Sequence, residues 1–89
     1  MRAIVTVIGP DRVGIIAEVC TVLARLGVNV LDLSQTIMGG NFTMTMLVDT
    51  AASDKPFDVI RDALIDKGQD MALSIRIQRE DIFTAMHRI

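Results

Sequence analysis

The amino-acid sequence predicts an α+β fold in which a four-stranded antiparallel sheet carries two helices on one face. Three observations lead there. Strand-like apolar segments rich in β-branched residues open the chain, flank Gly39-Gly40 in its middle and recur near its end. Two segments with apolar residues at helical spacing, each followed by a glycine, lie between them. Hydrophobic residues make up 51 % of the chain, yet Phe42, Phe57 and Phe83 are the only aromatics, so Val, Ile, Leu, Met and Ala must build the core.

Arg2 to Ile8 reads as the first strand, with Ile4 and Ile8 on one face and Ala3, Val5 and Val7 on the other. Apolar residues on both faces mark a central strand. Pro10, with its fixed φ and no amide hydrogen, is expected to stop it. Asp11 is then placed to cap a helix over Val13 to Leu26, with Gly14 inside the first turn. That helix is apolar nearly all round. Glu18, Thr21 and Arg25 form its narrow polar stripe, and Gly27 ends it in a left-handed conformation. So broad an apolar surface exceeds what one sheet hides and points to a partner chain.

Asn29 to Met38 and Asn41 to Thr50 flank Gly39-Gly40, a tight hairpin turn. With Met38 opposite Asn41, Leu31, Leu33 and Ile37 face Val48, Met46 and Phe42, while Asp32, Ser34 and Thr36 face Leu47, Thr45 and Thr43. One face is then core and the other mostly polar, unless a bulge intervenes. Ser53 or Asp54 is expected to cap a second helix with Pro56 in its first turn, Phe57, Ile60, Ala63 and Leu64 buried, and Asp58, Arg61, Asp62 and Asp66 wet. Gly68 is expected to close it. Met71, Leu73, Ile75 and Ile77 then alternate with Ala72, Ser74, Arg76 and Gln78 in a last strand. In Glu80 to Ile89 the acids come first, His87 and Arg88 come last, and Ile82, Phe83, Met86 and Ile89 keep helical spacing.

The order βαββαβ with right-handed crossovers defines the ferredoxin-like sandwich, its strands in spatial order 4-1-3-2 with the second strand at an edge. A domain over residues 1–79 is followed by a C-terminal helix over 80–89 that packs on the domain or on a dimer partner. An edge strand can pair with its symmetry mate, and a monomer of 89 residues buries only roughly 60–65 % of its unfolded surface, so a homodimer is expected.

Composition narrows the function classes. A net charge of −2 with interspersed signs gives no face for phosphate backbones, so no direct nucleic-acid partner is expected. No apolar run approaches the roughly 18 residues of a membrane span, and strand-like sequence rather than a signal peptide follows Arg2, which predicts a cytoplasmic protein. Cys20 is the single cysteine and, beside Val19 and Val22, reads as a buried thiol. His87 is the single histidine, and neither metal-ligand spacing nor a phosphate-cradling glycine pattern occurs; no enzyme and no cofactor are expected.

The stretch Gly9-Pro10-Asp11-Arg12-Val13-Gly14-Ile15-Ile16 joins the first strand to the first helix. A glycine in a first helical turn costs about 1 kcal/mol relative to Ala. Two explanations of Gly14 stand: close backbone packing against a strand, or a ligand carboxylate meeting free amides at the positive end of the helix dipole. Asp11 suits an α-ammonium as well as a helix cap, and Asn29 suits either end of a zwitterion as well as a turn after Gly27. Arg12 reads as a solvated charge or a clamp.

That loop, with Gly27-Val28-Asn29-Val30 opening the second strand, resembles the ACT domain, a small regulatory amino-acid-binding module. Ser34-Gln35-Thr36-Ile37 and the tail Asp81 to Ile89 resemble short stand-alone ACT proteins of bacteria and archaea; a distant similarity to the repressor of the glycine cleavage system accompanies them. The resemblance implies a ligand site at the interface of two domains, comprising Asp11, Arg12, Val13, Gly14, Ile15, Ile16, Asn29 and Val30. Val13 stands where many ligand-binding members carry Pro. It further implies a dimer that senses a small molecule, an amino acid, and signals to a partner enzyme or regulator. A second class, a ligand-free protein–protein interaction module docking through its first helix and tail, fits the apolar surfaces too.

Overall fold

Six elements follow one another in the computed structural model, which describes residues 1–81: β1 (Arg2–Pro10), α1 (Ile15–Arg25), β2 (Asn29–Met38), β3 (Asn41–Asp49), α2 (Phe57–Met71) and β4 (Ser74–Arg79). The strands form one antiparallel sheet in the order β2-β3-β1-β4, which is the expected 4-1-3-2 order read from its other edge. Alternation along β1 separates the two faces. Ala3, Val5 and Val7 are fully buried under the helices, whereas Ile8 is half exposed on the opposite, open face. Ile15, Val19 and Leu23 of α1 and Ile60, Leu64 and Met71 of α2 close over the sheet, meeting Phe42, Met44, Met46 and Val48 of β3. Each of these large side chains contributes about 1.5–3 kcal/mol by leaving water. The C-terminal helix expected over residues 80–89 lies outside the described residues except for Glu80 and Asp81, which are helical.

The hairpin has the expected register at its turn, with Met38 opposite Asn41 and Ile37 opposite Phe42. A bulge between Val30 and Asp32 breaks that register at the other end. Val30, not Leu31, therefore opposes Val48 and packs against the core, and Leu31 is left 47 % exposed.

Several local boundaries differ from the sequence reading. β1 continues through Pro10, which sits opposite Asn41. β4 pairs with β1 only as far as Ile8, so the missing amide hydrogen of Pro10 interrupts no ladder on that side. α2 starts after Pro56, which occupies the N-cap position itself; neither Ser53 nor Asp54 caps it. The Ser53 hydroxyl instead donates to the Leu26 carbonyl at the end of α1 and accepts the Lys55 amide, tying the two helices' connections together. Gly68 does not end α2. The helix runs to Met71 and stops at Ala72, whose φ of 58° is left-handed. Gly68 is buried where a β-carbon would come 2.8 Å from the Leu73 carbonyl oxygen and 3.3 Å from the Ile75 amide, so the glycine lets α2 lie against the start of β4. Met71 consequently belongs to the helix, and the last strand begins at Ser74.

Candidate functional site

Between β1 and α1 the chain turns through Asp11 to Gly14. α1 begins two residues later than the sequence suggests, at Ile15, with Gly14 as N-cap residue at φ 91°, ψ 0°. That left-handed backbone is the reason for a glycine here; no atom lies within 4 Å of where its β-carbon would be, so close packing is not. The packing glycines are Gly9, whose β-carbon would collide with Leu73, and Gly68. No side chain caps α1, and Asp11, expected as its cap, is not one. The first bond of the helix runs from the Glu18 amide to the Gly14 carbonyl, 2.9 Å, which leaves the amides of Ile15, Ile16 and Ala17 as the uncommitted donors of the first turn.

The residues that carry these donors line a cleft of about 480 Å³, within the range of roughly 300–1,000 Å³ common to small-molecule sites. One wall is the loop and first turn: Asp11, Arg12, Gly14, Ile15, Ile16 and Ala17. The other is the turn end of the hairpin: Gln35 and Ile37 of β2 and Phe42 of β3. Phe42 is 2 % exposed and forms a rigid floor; Ile37 is 56 % exposed and forms the rim. The Asp11 amide donates to the Gly40 carbonyl at 2.8 Å and joins the walls. Arg12 leans back toward the helix, its Nη2 3.6 Å from Oε2 of Glu18, whose other oxygen lies 3.6 Å from Nζ of Lys67. Arg12 and Glu18 are about half exposed, and a pair so placed contributes little stability; its effect is to orient Arg12 beside the cleft.

Of the eight candidate residues, Asp11, Arg12, Gly14, Ile15 and Ile16 line this cleft. Val13 points fully into solvent at its mouth. Asn29 and Val30 are elsewhere within the chain: Asn29 opposes Asp49, eight residues along β2 from Ile37, or about 26 Å of strand. Gln35, Ile37 and Phe42 escaped the sequence reading. Gln35 carried a signal, since it is a polar residue in the helix-facing series Leu33, Gln35, Ile37, which pairs with Met46, Met44 and Phe42.

The cleft offers amide donors and a guanidinium to an anionic group, a carboxylate to a cationic one, and an apolar floor between them. Among the described residues no cluster of His, Cys, Asp or Glu could hold a metal ion, and no helix is long and apolar enough to cross a membrane.

The fold class is thus the ferredoxin-like α+β sandwich, with an uncapped helix start beside a cleft. Residues 2–78 match the ACT domain model, and the chain belongs to the ACT-domain family. It is 57 % identical over 88 residues to a UPF0237 protein of Bifidobacterium longum, covering 99 % of this chain and 98 % of that relative. The ACT domain protein from Streptococcus pneumoniae superposes with a TM-score of 0.82 at 38 % identity, covering 93 % of both chains. A structure titled as a putative glycine cleavage system transcriptional repressor is similar at a TM-score of 0.73 and 28 % identity, over 86 % of this chain and 44 % of that one. ACT domains are typically regulatory domains that bind small molecules.

Proposed function

We propose that this chain is a cytoplasmic regulatory subunit that binds an amino acid in the cleft beside Gly14 as a homodimer and signals its presence to a partner enzyme or regulator. The observation that carries the reading is the coincidence, in one cleft, of the uncapped amides of Ile15, Ile16 and Ala17 with the side chains of Asp11 and Arg12. The α-carboxylate takes the amides and the helix dipole, the α-ammonium takes Asp11, and the ligand's side chain lies on Phe42 and Ile37.

The dimer completes the site. β2 is an edge strand of ten residues with an open ladder, and antiparallel pairing with its copy would cover it. Pairing about an axis between Leu33 and Ser34 brings Asn29 of the partner subunit opposite Met38, next to the Ile37 rim. Asn29 and Val30, remote within one chain, thereby join the cleft of the other. Titration calorimetry of the full chain against the standard amino acids tests the reading: saturable binding of at least one is expected, and binding of none refutes it.

A further inference from the structure

Building on the reading that the cleft beside Gly14 takes an amino acid, we infer that Gln35 selects which one. The class it selects has an uncharged, hydrogen-bonding side chain, a carboxamide or a hydroxyl.

Gln35 stands where the pattern of the sheet asks for an apolar residue. Leu33, Gln35 and Ile37 alternate on the helix-facing side of β2, and their partners across the ladder are Met46, Met44 and Phe42, all buried. Leu33 packs against the core, whereas Gln35 and Ile37 are exposed and line the cleft together with Phe42. Gln35 thereby gives the hairpin wall its one hydrogen-bonding side chain. Among the described residues nothing donates to or accepts from its carboxamide, so two N–H donors and a carbonyl acceptor stand uncommitted at the cleft.

The charges of the cleft are on the other wall. Asp11 and Arg12 are the charged side chains that line it, and both belong to the β1–α1 loop. With the helix amides they hold the two α-groups of the ligand, whose side chain then extends toward the hairpin. A charged side chain meets no opposite charge there, because Gln35, Ile37 and Phe42 carry none. An aliphatic side chain suits Ile37 and Phe42 but covers the carboxamide of Gln35 without bonding it, which leaves a desolvated polar group unpaired. A side chain that ends in a carboxamide or hydroxyl satisfies both neighbours: its carbon stem lies on Phe42 and Ile37, and its end bonds Gln35. A site that hydrogen-bonds its ligand in this way rejects the analogue lacking the group more sharply than an apolar pocket rejects a ligand by size.

Titration calorimetry of the full chain against two sets of amino acids tests this. One set is serine, threonine, asparagine and glutamine; the other is valine, leucine, methionine, aspartate, glutamate and lysine. The parent protein is expected to bind the best of the first set at least about tenfold more tightly than the best of the second. Gln35→Met, nearly the same in length but unable to donate, is expected to lose that margin while keeping the parent's urea midpoint, since the position is exposed. A parent protein that prefers an aliphatic or charged amino acid overturns the inference, and this ranking needs no variant to fold. A Gln35→Met protein that keeps the parent's ranking overturns it equally; in both cases the cleft still binds an amino acid. Binding of no amino acid overturns the inference and the reading beneath it together.

Discussion

The backbone amide of Asp11 donates to the carbonyl of Gly40 across 2.8 Å, and through this bond the β1–α1 loop and the β2–β3 turn act as one body. Gly40, at φ 82°, can present its carbonyl there because the turn is built from two left-handed glycines. The cleft therefore has its shape before any ligand arrives, which lowers the ordering cost of binding.

Gly14→Ala is expected to lower stability by about 1–2 kcal/mol, because an L-residue is held in left-handed backbone even though its methyl group meets open space. Gly14→Asn should cost less, since asparagine tolerates that region better. Urea midpoints of the three proteins check this. An alanine variant as stable as the parent would mean that the loop adopts another conformation.

Gly68→Ala tests the close approach of α2 to β4. In a solvated helix the exchange would gain about 1 kcal/mol in propensity. Here the added β-carbon meets the Leu73 carbonyl oxygen, and overpacking of this kind costs about 1–3 kcal/mol, so the net effect is expected to be destabilising. Amide exchange should quicken first in β4. A more stable variant would place the glycine in a looser contact than the structure has.

Asp49 carries the pH prediction. The Ala51 amide bonds its carboxylate, and the chain's terminal ammonium lies 3.3 Å away, so its pKa is held below the ordinary carboxylate value. A group with a depressed folded pKa contributes stability that is complete above its unfolded pKa and is lost as pH falls through the lower folded value. The stability difference between the parent and Asp49→Asn should accordingly be constant between about pH 5 and pH 7 and shrink below about pH 4. A difference that grows on acidification would contradict the assignment.

Much of this architecture could be read from residue pattern alone, and the exceptions share a cause. Gly39-Gly40 sets the hairpin register because the turn and the alternation Leu33, Ile37 against Met46, Phe42 demand the same pairing. The bulge was not legible: Val30 and Leu31 are both apolar, and only the fit against Val48 decides which turns inward. Glycines at positions 14 and 68 are equally ambiguous as letters. One answers a dihedral angle and the other a neighbouring backbone, and neither cause lies within the local sequence. Asp11 has the chemistry of a cap, but the left-handed turn at Gly14 moves the helix start beyond its reach. On the ligand side, the loop wall could be named from sequence, whereas Ile37 and Phe42 arrive from the hairpin through tertiary contact.

The central claim, that an amino acid binds in a cleft completed by a second chain, is tested most directly by complementation. Ile37→Arg blocks the cleft rim and Asn29→Ala removes the contribution from the far end of β2; each variant alone should bind the parent protein's amino acid weakly or not at all. Mixed in equal amounts and allowed to exchange subunits, the two chains form heterodimers in which one cleft keeps its own Ile37 and receives an intact Asn29. Titration calorimetry of that mixture is expected to recover parent-like affinity at reduced stoichiometry. A mixture that binds no better than its components would contradict the shared site.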